Sequence, residues 1–208
     1  MNYFFVKRIL DFCLGLGMLF VLSPLFIIIY YIIWLDSGSG VIFMQKRVGF
    51  KGAPFRMYKF RTMVKKAEEL KSKYMYLNEA RPPLFKIRND PRLTRIGKFL
   101  RNSNLDELPQ LFNVLRGDMS LVGPRPFICE EFERFESWQK ERLKGRPGMT
   151  SIWHVSGNYV LPIELTDWIN SDLEYIQKMN FFLDLRILAK TVAVVSSHLN
   201  DMILRGIK

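Results

Sequence analysis

Apolar positions fall into three patterns along the chain. The first is an unbroken run: Phe12 to Leu35 is 24 residues without a charge, above the roughly 20 that a helix needs to cross a bilayer core. The second is strand-like, over residues 41–47 and 54–61. The link between those two stretches, around Phe50 and Lys51, is flanked by Gly49 and Gly52, which predicts a short antiparallel hairpin. The third is helical. Leu108, Leu111, Phe112 and Leu115 share a face that Gly117 ends. Leu185, Leu188, Val192, Val195 and Leu199 form a second stripe, widened by Ile187, Val194 and Ile203. Core packing is the reading of that stripe, ahead of lying on a bilayer.

The long run is a membrane anchor. It exceeds the h-region of a cleavable signal peptide, and no small-residue cleavage site follows it. Ser23-Pro24 interrupts its middle, where proline removes a backbone donor and bends or breaks a helix. Lys7 and Arg8 precede the run while Lys46, Arg47 and Lys51 follow it, so basic residues pull both ends toward the cytosol. A helix-break-helix that dips in and returns satisfies both pulls; a kinked spanning helix is the alternative. Asp11 is expected to meet headgroups or Arg8.

Charge narrows the partners. The chain has 208 residues and a net charge of +11, with 31 basic and 20 acidic side chains. The stretch from Lys46 to Arg101 holds 17 of the basic residues and four of the acidic ones, so the anion-binding potential lies in the middle third. A solvated helical surface accounts for Val64 to Lys73. The denser cluster Lys46, Arg47, Lys51, Arg56, Lys59 and Arg61 falls on the hairpin, among aromatics. Two cysteines, Cys13 and Cys129, make no disulfide framework, and His154 and His198 leave no zinc spacing.

Chemistry concentrates in residues 101–126. Asp106 and Glu107 stand where a helix begins, with Asn104 placed to cap and Glu107 three residues on. The residues alone favour capping. Pro109 complicates that reading, since a helix starting there leaves both carboxylates in the preceding turn. Either way they sit at the positive end of a helix, which keeps a carboxylate ionised and attracts phosphate, the conditions for an aspartyl nucleophile. In Gly123-Pro124-Arg125-Pro126 two prolines limit the backbone around one arginine. Arg125 is read either as a fork for phosphate oxygens or as a loop-locking cation. Arg146-Pro147-Gly148 is a second constrained turn.

Taken in order, Lys7-Arg8, Ser23-Pro24, Arg47-Val48-Gly49, residues 58–63 (YKFRTM), residues 105–110 (LDELPQ), residues 117–126 (GDMSLVGPRP) and Arg146-Pro147-Gly148 resemble the bacterial sugar transferases, the monotopic phosphoglycosyl transferases. The likeness covers about residues 5–195 and is to the minimal form, without the additional helices and soluble domain of larger relatives. It implies a re-entrant helix breaking at Ser23 and Pro24 over residues 1–40, and a cytosolic catalytic domain over 41–208. The fold class expected is α+β, mostly helical, with a small antiparallel hairpin and interfacial amphipathic helices.

The resemblance also implies a reaction. Asp106 would attack the β-phosphate of a UDP-sugar, release UMP and pass the phosphosugar to undecaprenyl (polyprenol) phosphate. Glu107 would assist, Mg2+ held at Asp106 would offset the diphosphate charge, and Lys59, Arg101 and Arg125 would contact phosphate or nucleotide. The setting implied is a bacterial inner membrane, cytoplasmic face, in contact with membrane lipid; a homodimer is left open and no nucleic acid is expected. Residues 149–159 depart from the family pattern, and residues 64–91 are longer than in its smallest members. A basic membrane-associated scaffold or nucleic-acid-binding protein is the non-enzymatic alternative.

Overall fold

A computed structural model describes residues 3–157 and 164–206. Helix α1 spans Tyr3–Ser37; strands β1 (Ile42–Val48) and β2 (Pro54–Phe60) follow. Next come α2 (Arg95–Asn102), α3 (Gln110–Arg116), β3 (Ser120–Val122), α4 (Cys129–Phe132) and α5 (Ser137–Lys140). The chain continues through β4 (Gly148–Thr150), α6 (Ile152–Val155), α7 (Leu165–Lys178) and α8 (Phe181–Gly206). The class is α+β, as expected.

The hairpin forms within a residue of its predicted bounds, in antiparallel register from Ile42 opposite Phe60 to Val48 opposite Pro54. Lys51 takes a positive φ of 54° in its turn, beside Gly52 at 83°. A second pairing was not anticipated: β3 and β4 run parallel, Ser120 opposite Gly148 and Val122 opposite Thr150. Three buried residues carry no periodicity, which hides β3 from pattern reading. Glycine makes the pairing feasible. A Cβ on Gly123 would lie 2.3 Å from the Arg146 carbonyl oxygen, and one on Gly148 would lie 2.1 Å from the Gly123 nitrogen. The two proline-containing turns of the sequence therefore lie backbone against backbone, joined by Gly148 N–H to the Pro124 carbonyl (2.9 Å) and Gly123 N–H to Thr150 (2.9 Å).

Helix α1 runs without interruption through Pro24. The break expected at Ser23-Pro24 takes the form of a missing donor rather than a gap between two helices. Pro24 leaves the Phe20 carbonyl without its i+4 donor, and the Ser23 hydroxyl donates to that same oxygen at 2.8 Å. In hydrocarbon an unpaired carbonyl is costly, so the serine makes the proline tolerable. Phe20, Val21, Ile27, Ile28, Tyr31 and Leu35 expose apolar surface, marking the helix as membrane-associated rather than as a core helix.

One stripe of α1 nevertheless meets the body from end to end. Near its start, Arg8 donates to the Val114 and Leu115 carbonyls (2.6 and 2.8 Å), capping the C-terminus of α3. Lys7 pairs with Asp184, which also accepts from Tyr3 (2.6 Å) and Tyr175 (2.7 Å). Asp11 accepts from the Leu121 N–H of β3 at 3.0 Å, so it braces the fold instead of meeting headgroups or Arg8. Gly15, Met18, Leu22 and Phe26 continue the contact. At the far end Ile29 and Ile33 are buried against Phe60 and Leu100. Arg61 there donates to the Ser37 carbonyl, the last acceptor of α1, at 3.0 Å, and to the Gly38 (2.8 Å) and Ser39 carbonyls just beyond it.

The main core joins Met57, Leu111, Val114, Met119, Leu121, Val122, Tyr175 and Ile187. In α8 the inward line is Asp184, Ile187, Leu188 and Thr191, while Leu185 and Val192 face outward at 53% and 68% exposure. The predicted stripe was thus rotated: a buried aspartate and a half-buried threonine stand on the core face, which hydrophobicity alone misplaces. Trp153 and Trp168 stack in a second core with Phe127.

Gly123→Ala is expected to cost about 1–3 kcal/mol through overpacking, lowering the Tm of the detergent-solubilised protein by roughly 2–10 °C. Gly17→Ala, whose Cβ meets nothing within 4 Å, should leave Tm unchanged.

Candidate active site

The hairpin positions the first site residue. On β2, the Tyr58 N–H donates to Asn113 Oδ1 (3.0 Å) and the Arg56 carbonyl accepts from Asn113 Nδ2 (2.7 Å). Asn113 is fully buried. Its amide thus docks α3 on the strand at both neighbours of Met57, and Lys59 follows one residue on.

Asn104 does not cap. It adopts the left-handed conformation (φ 58°) with no side-chain bond to the turn after it, Leu105–Glu107. Helix α3 starts only after Pro109, as the alternative reading of that proline required, and Gly117 ends it at φ 88°. Leu105 and Leu108 pack into the core beside α1, leaving Asp106 and Glu107 for other work. Glu107 Oε1 receives Lys59 Nζ at 2.7 Å and Arg125 Nη2 at 2.8 Å. Asp106 is buried yet accepts no hydrogen bond among the described residues, and no cationic nitrogen there comes within 4.0 Å of it.

Arg125 is held from behind. Its carbonyl accepts from Arg142 Nη2 at 2.5 Å, and its backbone amide interacts with Asp172. Arg142 and Asp172 are a buried ion pair, and the Arg142 guanidinium stacks on Phe127 at 4.4 Å. The next carbonyl, of Pro126, accepts from Arg47 Nη1 at 3.0 Å. The prolines limit the loop, but these cations place it. Arg101, at the end of α2, stands 3.9 Å from Asp90, which is itself paired with Arg92.

These placements give the two carboxylates opposite characters. Burial pushes Asp106 up to about 6, against the pull of Lys59, with Glu107 adding to the rise and Arg101 and Arg125 opposing it. For Glu107 burial acts upward too, but Arg125 and Lys59 outweigh it and hold the carboxyl well below its ordinary range. One carboxylate is a fixed anion tying two cations. The other is open, partly protonated near neutrality and basic enough to act as a nucleophile.

Comparison with known proteins bears on which chemistry this is. Residues 2–198 match the family described as bacterial sugar transferase. The chain belongs to that family. Over 199 residues it is 40% identical to the undecaprenyl-phosphate galactose phosphotransferase of Salmonella typhimurium, covering 92% of this chain and 40% of that protein. It is 37% identical over 193 residues to the exopolysaccharide production protein ExoY of Rhizobium meliloti, covering 91% and 84%. The UDP-glucose:undecaprenyl-phosphate glucose-1-phosphate transferase of Caulobacter vibrioides is 37% identical over 193 residues, covering 89% and 68%. The chain spans about two fifths of the length of the Salmonella relative and 84% of ExoY.

Of the residues predicted for the site, the structure gathers Asp106, Glu107, Lys59 and Arg125 directly. Arg101 joins through its field at Asp106, and Ser23 and Pro24 stand apart in α1. Sequence reasoning missed Asn113, Arg142 and Asp172 as supports. Asn113 carried a signal: a polar residue set between Leu111 and Val114 in a buried helix.

The sign of the Asp106 shift makes a stability prediction for the metal-free protein. Its folded pKa lies above the ordinary value of 3.8. The ionised form therefore destabilises the fold, a cost absent below pH 4 and complete above pH 6. In EDTA, Asp106→Asn should raise Tm at pH 8, by the equivalent of about 2–3 kcal/mol, with the gain vanishing near pH 4.

Proposed function

We propose that the protein moves a phosphosugar from a UDP-sugar to undecaprenyl phosphate through a covalent intermediate on Asp106. What carries this reading is the contrast within the carboxylate pair: Glu107 is spent on Lys59 and Arg125, whereas Asp106 is buried, raised in pKa and open. The named relatives support the substrate classes.

In the first step an Asp106 oxygen attacks the β-phosphorus of the donor. The bond from that phosphorus to the oxygen bridging to the α-phosphate breaks, and UMP leaves with its electron pair. In the second step a phosphate oxygen of the polyprenol attacks the same phosphorus. The Asp106 carboxylate departs and a polyprenyl diphosphate sugar is formed. Phosphoryl transfer needs chiefly alignment and positive potential. Lys59 and Arg125, fixed by Glu107, present their remaining N–H donors to phosphate oxygens, and Arg101 adds to the field. Arg142 and Arg47 bond the Arg125 and Pro126 carbonyls and so keep the Arg125 backbone where its guanidinium can work.

Among the described residues no three His, Cys, Asp or Glu side chains converge on a metal site. The donor set is one open carboxylate, Asp106. That fits a Mg2+ ion shared with substrate phosphate, since Mg2+ keeps most of its waters and takes one or two carboxylates. Bound so, it would neutralise charge on the diphosphate.

The anchor serves the meeting of a lipid with a nucleotide. Both ends of α1 are tied to one body, by Arg8 and Asp11 at the start and Arg61 at the finish. This supports a helix held in the membrane surface with both of its ends on the cytoplasmic face of the inner membrane. Single cysteines placed by Asn2→Cys and Ser39→Cys, in a chain lacking Cys13 and Cys129, are expected to resist a membrane-impermeant thiol reagent in intact cells. Labelling of the first alone would mean a spanning helix with its N-terminus outside.

The functional test uses UDP-galactose and UDP-glucose without lipid acceptor. A stoichiometric burst of UMP and a mass increment of one hexose phosphate are expected, both absent in Asp106→Asn. A scaffold or nucleic-acid-binding protein would release no UMP, and an unimpaired Asp106→Asn would remove the nucleophile assignment.

A further inference from the structure

We propose that Gln110 binds the sugar of the donor, its side-chain amide pairing with a sugar hydroxyl in a narrow cleft beside Arg125. The inference rests on the donor reading above and adds to it a contact that selects among sugars.

Gln110 opens helix α3, three residues after Glu107, and is 2% exposed. Asn113 stands one turn further along the same face of the helix and is also buried. The two amides are used differently. Asn113 is engaged by the Tyr58 N–H, the Arg56 carbonyl and Asp118. The Gln110 side chain makes no hydrogen bond among the described residues, yet neither of its amide atoms is sealed off. They reach the cleft that Gln110 lines together with Arg47, Met57, Arg125, Pro126 and Gly148. The walls of that cleft are committed elsewhere. Arg47 donates to Gln45 Oε1 (3.1 and 2.6 Å) and to the Pro126 carbonyl (3.0 Å). The Gly148 N–H donates to the Pro124 carbonyl at 2.9 Å, Arg125 is drawn to Glu107 Oε1 at 2.8 Å, and the Met57 side chain offers no strong donor or acceptor. An amide buried without a partner is a cost in the empty protein that a ligand group able to donate and accept removes.

Size and charge name the ligand group. The cleft admits a group of about the size of one water molecule, which fits a hydroxyl and is too small for a phosphate. An uncharged amide, with two N–H donors and a carbonyl acceptor, bonds a hydroxyl in both directions, whereas a phosphate is served by a cation such as Arg125. The cleft shares Arg125 with the carboxylate pair, so its occupant lies close to the reacting phosphorus. In the donor the sugar is joined through one oxygen to the phosphorus that Asp106 attacks, while the ribose hydroxyls lie beyond the α-phosphate. The sugar is therefore the nearer source of a hydroxyl.

The experiment measures single-turnover UMP release by the full chain in detergent at subsaturating donor. UDP-galactose, UDP-glucose and their 2-acetamido forms are compared first, then the monodeoxy analogues of the best of them. In the wild type one deoxy analogue should react roughly ten- to hundredfold more slowly than its parent, the range for leaving a buried polar group unpaired. Gln110→Met, similar in size but without the amide, should lose about the same factor on the parent sugar and no longer distinguish it from that analogue. Its affinity for UDP, by titration calorimetry, should be unchanged, and its Tm should not fall, because an unpartnered amide contributes nothing to the fold. A wild type that turns over every deoxy analogue as fast as the parent would overturn the proposal, as would a folded Gln110→Met that keeps its discrimination. Weakened UDP binding in Gln110→Met would assign the amide to the ribose, and a variant that fails to fold would assign it to the structure; either result also overturns it. A wild type that releases no UMP from any donor would instead overturn the donor reading on which it rests.

Discussion

A single carboxylate oxygen, Glu107 Oε1, ties together three stretches of chain that are far apart in sequence: the hairpin through Lys59, the turn before α3, and the Gly123–Pro126 loop through Arg125. Two charge-assisted bonds to one half-buried oxygen demand accurate placement of both cations, and much of the body meets that demand. Asn113 sets the height of β2 on α3. Arg142, Asp172 and Arg47 hold the backbone around Arg125. Gly123 and Gly148 let the two constrained turns touch, which brings Arg125 over the hairpin. Glu107 takes both of the charge-assisted bonds, Asp106 is buried with no hydrogen bond among the described residues, and burial raises its pKa.

The anchor is part of the same construction. Helix α1 is not appended to a finished domain: Arg8 caps α3, Asp11 braces β3, and Arg61, two residues beyond Lys59, closes the far end of the helix. Movement of α1 is thereby coupled to the helix that follows Glu107 and to the strand that carries Lys59. A site assembled this way stays in register with the surface in which the helix lies, as a transfer between a soluble nucleotide and a lipid phosphate would require.

Much of this was legible in residue order. The hairpin announced itself by its glycines and its alternating basic and aromatic positions, and Gly117 marked the end of α3 by the left-handed geometry it adopts. Pro109 correctly split the region into turn and helix. What stayed hidden depends on contacts between distant residues. Asp11 looked like a headgroup contact because its partner is a backbone N–H 110 residues away. The capping expected of Asn104 failed: the residue takes the left-handed conformation, and the turn after it is held by the packing of Leu105 and Leu108 against the core. In α8 the core face is chosen by Asp184 and Thr191, polar residues that a hydrophobic stripe passes over. The break at Ser23-Pro24 was read from the missing donor alone, without the serine hydroxyl that replaces it.

The central claim is that one cation cluster separates two adjacent carboxylates into a fixed anion and an open base. Carbon-13 NMR of the metal-free protein, labelled at Asp and Glu side-chain carboxyls and assigned with Asp106→Asn and Glu107→Gln, reads that separation directly. The account predicts that Asp106 titrates with a midpoint near 6, while Glu107 stays ionised down to the lowest pH at which the fold survives. Two carboxyls titrating together in the ordinary carboxylate range, or Glu107 titrating at the higher pH, would contradict it.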